Sequence, residues 1–308
     1  MNKIFIDGSA GTTGLRIYER LKERKDIELL ILPDELRKDP KSIKEAIFRS
    51  DISFLCLPDD AAREAVALAE GSSAVIIDTS TAHRTADGWA YGFPELSPEH
   101  RQKILTCDRI ASPGCHASGF IALVYPLIKA GVLESSASLS CFSLTGYSGG
   151  GKKMIAQYEA QDRDPLLHAP RQYGLGQTHK HLKEMQCQTG VDIPPVFCPV
   201  VADIYSGMQV TVPLHKSMLK GASVEDIAKI YKAQYNTPIV YCADCGEEGF
   251  LNAGALSGKD TMAVAAYGNN DRIILCATYD NLGKGASGAA IECMNIKIGL
   301  APETGLEI

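Results

Sequence analysis

Three glycines spaced G-x-x-G-x-x-G (Gly8, Gly11 and Gly14), set between a short apolar run and a helical pattern, constrain this chain more than any other feature. Glycine lets the backbone turn where a β-carbon would clash, and a helix starting there offers N–H groups and a partial positive charge to a phosphate. A strand, a glycine turn and a helix in that order give a dinucleotide fingerprint its meaning. Ala10 occupies the fingerprint's second glycine position, so the turn alone also fits a tight connection with no ligand. Its place after the first strand favours a nucleotide held by Gly8, Gly11, Thr12, Thr13 and Gly14.

The rest of the first part has the matching rhythm. Apolar runs at 3–7, 28–32, 52–57 and 74–78 alternate with helical patterns at 13–24, 41–49 and 61–70. Such alternation implies βαβ units and a parallel sheet with helices on both faces. From about residue 112 the rhythm changes: 138–146, 196–212, 261–267 and 272–278 are β-like, with few helices between them. That pattern predicts a mixed or antiparallel sheet with helices on one side. The expected fold is an α/β Rossmann-type nucleotide-binding domain over 1–112 followed by an α+β domain over 113–281. Small and apolar residues at helical spacing over 285–300 predict a long helix, within a segment of about 282–308 that packs back onto the first domain. A length of 308 residues gives each domain enough chain for its own core.

Composition excludes several classes of partner. Net charge is −6 with acids and bases interleaved, so no basic stripe draws the chain to nucleic acid or anionic lipid. No run approaches the ~20 apolar residues of a membrane span, and the N-terminus lacks signal-peptide features. A cytoplasmic protein is expected. The ten cysteines include several inside apolar runs, Cys56 and Cys276 among them, where they act as small hydrophobes. One C-x-x-C, Cys242 to Cys245, lacks the second ligand pair of a structural zinc site, and no metal is expected.

Beyond the second predicted strand, the chain reads Pro33-Asp34-Glu35-Leu36-Arg37-Lys38. Asp34 suits the free ribose hydroxyl of NAD, whereas Arg37 and Lys38 suit the 2′-phosphate of NADP; a solvated loop of mixed charge is the plainer reading. The pair of cations tips the expectation to NADP(H).

Cys115 follows Pro113-Gly114 and precedes an apolar helical run, which puts it at a helix start. There the dipole and free N–H groups favour the thiolate, lowering a thiol from about 8.5 toward ~3.5–7.5. A drop of about two units raises the reactive fraction roughly thirtyfold, but falling nucleophilicity cancels most of that gain. The larger benefit is that a low-pKa thiolate also leaves easily. A thioester intermediate requires both. For most cysteines packing is the ordinary role; the Pro-Gly turn sets Cys115 apart. His116 is adjacent in sequence and points elsewhere at a helix start, so a more distant histidine is the better base.

Residues 110–115 (Ile-Ala-Ser-Pro-Gly-Cys), the N-terminal glycine turn, the run 174–185 containing His179-Lys180-His181, and the run 281–290 beginning Asn281-Leu282-Gly283-Lys284-Gly285 together resemble the N-acetyl-γ-glutamyl-phosphate reductases in their shorter form. The resemblance covers nearly the whole chain. It implies an NADPH-dependent oxidoreductase of arginine biosynthesis that reduces an acyl phosphate through a cysteine thioester, forms homo-oligomers and releases inorganic phosphate. It makes Cys115 the nucleophile and His181 the general acid/base, and a histidine with a pKa near 6.5 suits proton transfer at neutral pH. His116 stands where the family leads one to expect an aromatic or apolar residue. Aspartate-semialdehyde dehydrogenase uses the same chemistry, but with an Asn-Cys type segment.

A second glycine cluster, Gly146-Tyr147-Ser148-Gly149-Gly150-Gly151-Lys152-Lys153, nearly satisfies the phosphate loop of nucleotide hydrolases. Lys153 replaces the hydroxyl that would hold magnesium. Ser148, Gly149 and Lys152, with His179, are therefore expected to receive the substrate's phosphate, a flexible loop being the plainer alternative. Arg163 and Arg171 are candidates for the substrate carboxylate by charge alone. Two rival functions remain on sequence: a P-loop-like nucleotide hydrolase using 146–153, and a nicotinamide-binding sensor without catalysis. Loss of Cys115 would leave either intact.

Overall fold

A computed structural model describes residues 1–244 and 249–308, so the Cys242–Cys245 pair falls partly outside the described residues. The chain divides into two compact units: Met1–Gly114 with Ala286–Leu306, and Cys115–Gly285 with Glu307–Ile308.

The first unit opens β1 (Asn2–Asp7), α1 (Thr12–Leu21), β2 (Ile27–Leu30), α2 (Pro40–Arg49). It continues β3 (Ile52–Leu55), α3 (Asp59–Leu68), β4 (Val75–Asp78), β5 (Ala90–Tyr91), α4 (Pro98–Thr106) and β6 (Arg109–Ala111). The sheet runs β2-β1-β3-β4-β6-β5, and every pairing is parallel. Local signals set the helix starts: Asp39 and Ser97 accept the N–H groups of Ser42 and His100, each with proline next in the chain. Strand alternation splits the core. Ile4 and Ile6 face one layer with Ile17 and Leu21 of α1, while Phe5 faces the other with Ala46, Ile47 and Leu55. Strands β3 and β4 are buried at every residue, as a doubly covered sheet requires. Because β2 and β3 lie on opposite sides of β1, the sheet's topological switch point is at β1/β3.

The second unit begins with α5 (Cys115–Lys129), β7 (Ser140–Gly146), α6 (Gly151–Glu159), β8 (Arg171–Gln172), α7 (His181–Thr189) and β9 (Val196–Ala202). It ends with β10 (Met208–His215), α8 (Val224–Gln234), β11 (Val240–Cys242), β12 (Met262–Gly268) and β13 (Arg272–Tyr279). Its sheet, β11-β12-β13-β10-β7-β9-β8, mixes parallel pairs (β11/β12, β7/β9) with antiparallel ones. The β-like run 196–212 is two strands rather than one: the chain bends over 203–206, and Gly207 then takes φ +121°, a conformation suited to glycine.

Helix α5 is the centre of this unit, with every residue from His116 to Leu127 buried. Pro126 lies inside it and has no N–H to give the carbonyl four residues back, that of Ala122. The Tyr235 hydroxyl, just beyond α8, donates to that carbonyl at 2.8 Å, and Tyr231 of α8 donates to Leu123 O at 2.7 Å. On the other face of the sheet, Phe142, Val196 and Ile274 are exposed.

The final segment departs from one long helix. A π-helical turn, Gly283–Ser287, leads into α9 (Gly288–Lys297), whose Ala290, Ile291, Met294 and Ile296 pack in the first unit's core. The wide turn follows from Asp280: its buried carboxylate accepts the Leu282 and Gly283 N–H groups, and its carbonyl accepts those of Gly283 and Gly285. No helix of the described residues is long and apolar enough to cross a membrane.

Candidate active site

The glycine turn caps β1 at the switch point. Gly8 has φ +77°, and a β-carbon there would fall 2.3 Å from the Cys56 carbonyl oxygen just beyond β3. A β-carbon on Gly14 would fall 2.3 Å from Gly8 O, so these two glycines hold the turn tight against the sheet. Gly11 caps α1 in extended conformation with no side chain over the helix end, leaving Thr12 and Thr13 as its first residues. Two buried oxygens at this turn, Asp7 Oδ2 and Thr12 Oγ1, have no hydrogen-bond partner. Burial pushes the Asp7 carboxyl up to about 6, against the lowering effect of the Gly8 N–H. A turn with no room for side chains and orphaned polar atoms fits a dinucleotide whose hydroxyl and phosphate groups supply the missing partners.

Past β2, Arg37 pairs with Asp34 at 2.7 Å and reaches Leu32 O at 3.4 Å; Lys38 is exposed. The two readings of this loop thus meet in one ion pair: Asp34 holds the cation that a 2′-phosphate would attract.

In the second unit, Cys115 is the first residue of α5 and is half-buried. Space for it is made by Gly285, where a β-carbon would approach Cys115 Cβ to 3.2 Å. Its neighbour His116 is buried at 3% exposure, with Nδ1 at 2.6 Å from Ser143 Oγ and Nε2 at 2.6 Å from the Tyr173 hydroxyl. Burial, helped by nearby His179, pushes His116 down to about 3. It is therefore a neutral ring with both nitrogens committed, which answers why a histidine occupies this position. It is a poor base and a good strut.

Two further imidazoles gather around it. The His179 and His181 rings lie 5.7 and 5.6 Å from His116 and 4.7 Å from each other, and Phe197 packs 5.3 Å from His116. His181 starts α7 and is buried at 8% exposure; its N–H reaches His179 Nδ1 at 3.2 Å. Tyr173 completes the group, and burial together with the Cys115 thiol raises its hydroxyl above the usual range. The structure thus brings His179 and His181 beside the residue that follows Cys115. Tyr173 and Tyr279, with no motif of their own, were not legible in sequence.

The second glycine cluster is differently occupied. The N–H groups of Gly146, Tyr147 and Ser148 bond to the carbonyls of Gly207, Ile204 and Tyr205. Ser148 is buried with its Oγ accepting from Asn281 Nδ2 at 3.0 Å, Gly149 lies near the same amide, and Lys152 is exposed at the start of α6. Arg163 is held by Asp203 at 2.7 Å, and Arg171 donates to the Tyr158 hydroxyl at 3.0 Å. Among the described residues, no group of three or more His, Cys, Asp or Glu could hold a metal ion.

Residues 3–104 match the model of the semialdehyde dehydrogenase NAD binding domain, and residues 115–281 that of the semialdehyde dehydrogenase dimerisation domain. Solved aspartate semialdehyde dehydrogenases share the fold. That of Francisella tularensis has a TM-score of 0.73 at 17% identity, covering 96% of this chain and 99% of that one. Aspartate semialdehyde dehydrogenase II of Vibrio cholerae, complexed with ASA, gives 0.71 at 15%, covering 97% and 98%. These domain matches, with the fold, define the class as that of the semialdehyde dehydrogenases.

Within it, N-acetyl-gamma-glutamyl-phosphate reductase 2 of Nostoc sp. (strain PCC 7120) is 44% identical over 99% of both chains. N-acetyl-gamma-glutamyl-phosphate reductase of Brucella ovis is 43% identical over 96% of this chain and 99% of its own. The chain belongs to the N-acetyl-γ-glutamyl-phosphate reductase family.

Proposed function

We infer that this chain catalyses the NADPH-dependent reduction of N-acetyl-γ-glutamyl phosphate to N-acetylglutamate semialdehyde and phosphate, a step of arginine biosynthesis. One observation carries the assignment of residues: a half-buried cysteine at a helix start, next to a committed neutral histidine around which two more histidines converge.

Cys115 attacks the acyl carbon as thiolate; the carbon–oxygen bond to phosphate breaks, and a thioester forms. When bound, NADPH would supply the hydride for reduction of this thioester. His181 protonates the resulting oxygen, then takes the proton back as the carbon–sulfur bond breaks and the aldehyde leaves. His116, fixed by Ser143 and Tyr173, keeps the ring cluster in place without exchanging protons near neutral pH. The turn Gly8–Gly14 would hold the dinucleotide through Gly8, Gly11, Thr12, Thr13 and Gly14, and Arg37 and Lys38 would supply the cations for its 2′-phosphate. Substrate phosphate is met by His179 and by Ser148, Gly149 and Lys152: Gly149 through its backbone N–H and Lys152 through its charge, since the N–H groups of Gly146, Tyr147 and Ser148 are already bonded to the chain. The exposed Phe142, Val196 and Ile274 on one sheet face support a homo-oligomer, and their unit is the one matched by the dimerisation model. The cytoplasm is the compartment this chemistry needs, because Cys115 must stay reduced.

A nucleotide hydrolase reading finds no support in the 146–153 loop, where Lys153 replaces the magnesium-binding hydroxyl. The test is the reverse reaction, phosphate-dependent oxidation of N-acetylglutamate semialdehyde by NADP⁺. Cys115→Ser should remove nearly all of the rate, and His181→Ala should lower it roughly 10²–10⁴-fold. A silent wild type, or a Cys115→Ser enzyme keeping most of its rate, overturns the assignment.

A further inference from the structure

Three buried tyrosine hydroxyls hold α5, and one of them reaches its first turn. Tyr279, the last residue of β13, has no exposed surface. Its hydroxyl donates to the carbonyl of Cys115 and accepts the N–H of Gly119 at 3.0 Å. Those two groups, four residues apart, are the two ends of the helical turn that begins with the cysteine. The fit is close on every side. A β-carbon on Gly119 would fall 2.7 Å from the Tyr279 hydroxyl and 2.6 Å from Val210 Cγ2. A β-carbon on Gly285 would fall 3.3 Å from the Tyr279 ring and 3.2 Å from Cys115 Cβ. Cys115 therefore stands in a notch cut by two glycines and backed by one phenol.

We propose that Tyr279 is a positioning residue for the nucleophile, fixing the backbone of Cys115 to the sheet through its hydroxyl. The inference rests on the reading of Cys115 as the group that forms the thioester. The phenol suits the task because it must donate and accept at once, which only the protonated form can do. Burial, with the Cys115 thiol adding to it, raises its pKa well above the usual 10, so the proton stays. A thiolate needs near-attack geometry at the acyl carbon, and a displacement of about 1 Å costs about a hundredfold in rate. Tyr231 and Tyr235 bond to carbonyls two turns further along, at Leu123 and Ala122, where they support the helix without touching the cysteine.

That difference supplies the control. Tyr279→Phe and Tyr231→Phe each delete one buried hydroxyl that bonds to α5, and both are made in the full chain. For each, the melting temperature, NADP⁺ affinity, kcat and KM of the phosphate-dependent reaction, and iodoacetamide labelling of the Cys115 peptide are measured. Tyr279→Phe should lower kcat about 10- to 100-fold, leave KM within about twofold, and slow Cys115 labelling. Tyr231→Phe should lower the melting temperature similarly while keeping the wild-type kcat and labelling rate. Two results overturn the proposal: unchanged kcat and labelling in Tyr279→Phe, or equal losses in both variants. A wild type without phosphate-dependent activity would instead overturn the underlying reading, which keeps the two failures apart.

Discussion

His116 should make the second unit acid-sensitive by a defined amount. Its ring is pushed down from 6.5 to about 3, by burial first and by His179 second. An unfolded chain binds a proton there below about 6.5, whereas the folded chain refuses it until about 3. The unfolded state thus carries the extra proton in that window, and stability falls as pH falls through it. Above the window the contribution is fully present. Between pH 7.5 and 5 the loss from this one ring is about 2 kcal/mol, or roughly thirtyfold in the folding constant. The burial of His116, at 3% exposure, justifies the conversion without a discount for solvent. The comparison is His116→Asn, which cannot titrate. Hydrogen exchange of the slowest α5 amides at the two pH values reads the second unit alone. A local readout is necessary, because Asp7 in the first unit, raised to about 6, loses stability as pH rises and so pulls the other way. Wild type should lose about 2 kcal/mol more than the variant on acidification; agreement within about 0.5 kcal/mol would refute the account.

Two other predictions concern single side chains. Tyr235→Phe leaves the Ala122 carbonyl with neither the missing Pro126 N–H nor a phenol, and should cost about 1–3 kcal/mol in urea unfolding followed by far-UV circular dichroism. Wild-type stability in that variant would mean that the carbonyl finds another partner. Arg37→Ala and Lys38→Ala should each weaken NADP⁺ binding about tenfold in calorimetric titration while sparing NAD⁺. Equal losses for both dinucleotides would place these side chains away from the 2′-phosphate.

The first unit was readable because local rules and tertiary outcome agree there. Apolar runs at 3–7, 52–57 and 74–78 coincide with strands buried on both faces, and the glycines mark a turn where β-carbons have no room. Sequence order fails where the chain's geometry depends on a distant residue. The run 196–212 reads as one β-like stretch, yet it breaks over 203–207, where the Gly207 N–H bonds to Asn281. The break at 283–287 is invisible for the same reason: Asp280 widens the turn with a buried carboxylate, and no periodicity records that. In the site, the order Cys115-His116 gave adjacency without direction. Only the fold shows that Ser143, from β7, and Tyr173, just past β8, occupy both nitrogens of His116. The 146–153 loop shows a related gap: the motif's spacing does not record that the N–H groups of Gly146, Tyr147 and Ser148 bond to the carbonyls of residues 204–207.

The arrangement around α5 explains how a helix that is apolar almost throughout can present a reactive group accurately. From Phe120 to Leu127 its residues are buried and mostly large, so burial does most to fix that part in place. Its first turn, Cys115 to Gly119, consists of small side chains and one histidine, which bury too little surface to hold a position against competing arrangements. Polar contacts take over there: Tyr279 on the backbone, and Ser143 and Tyr173 on the His116 ring. Reactivity is thereby tied to the first turn, while stability is drawn from the whole helix. Changes at Tyr231 and Tyr235 should register in melting alone, and those at Tyr279 in both melting and turnover. A helix start whose placement relied on burial would show no such division.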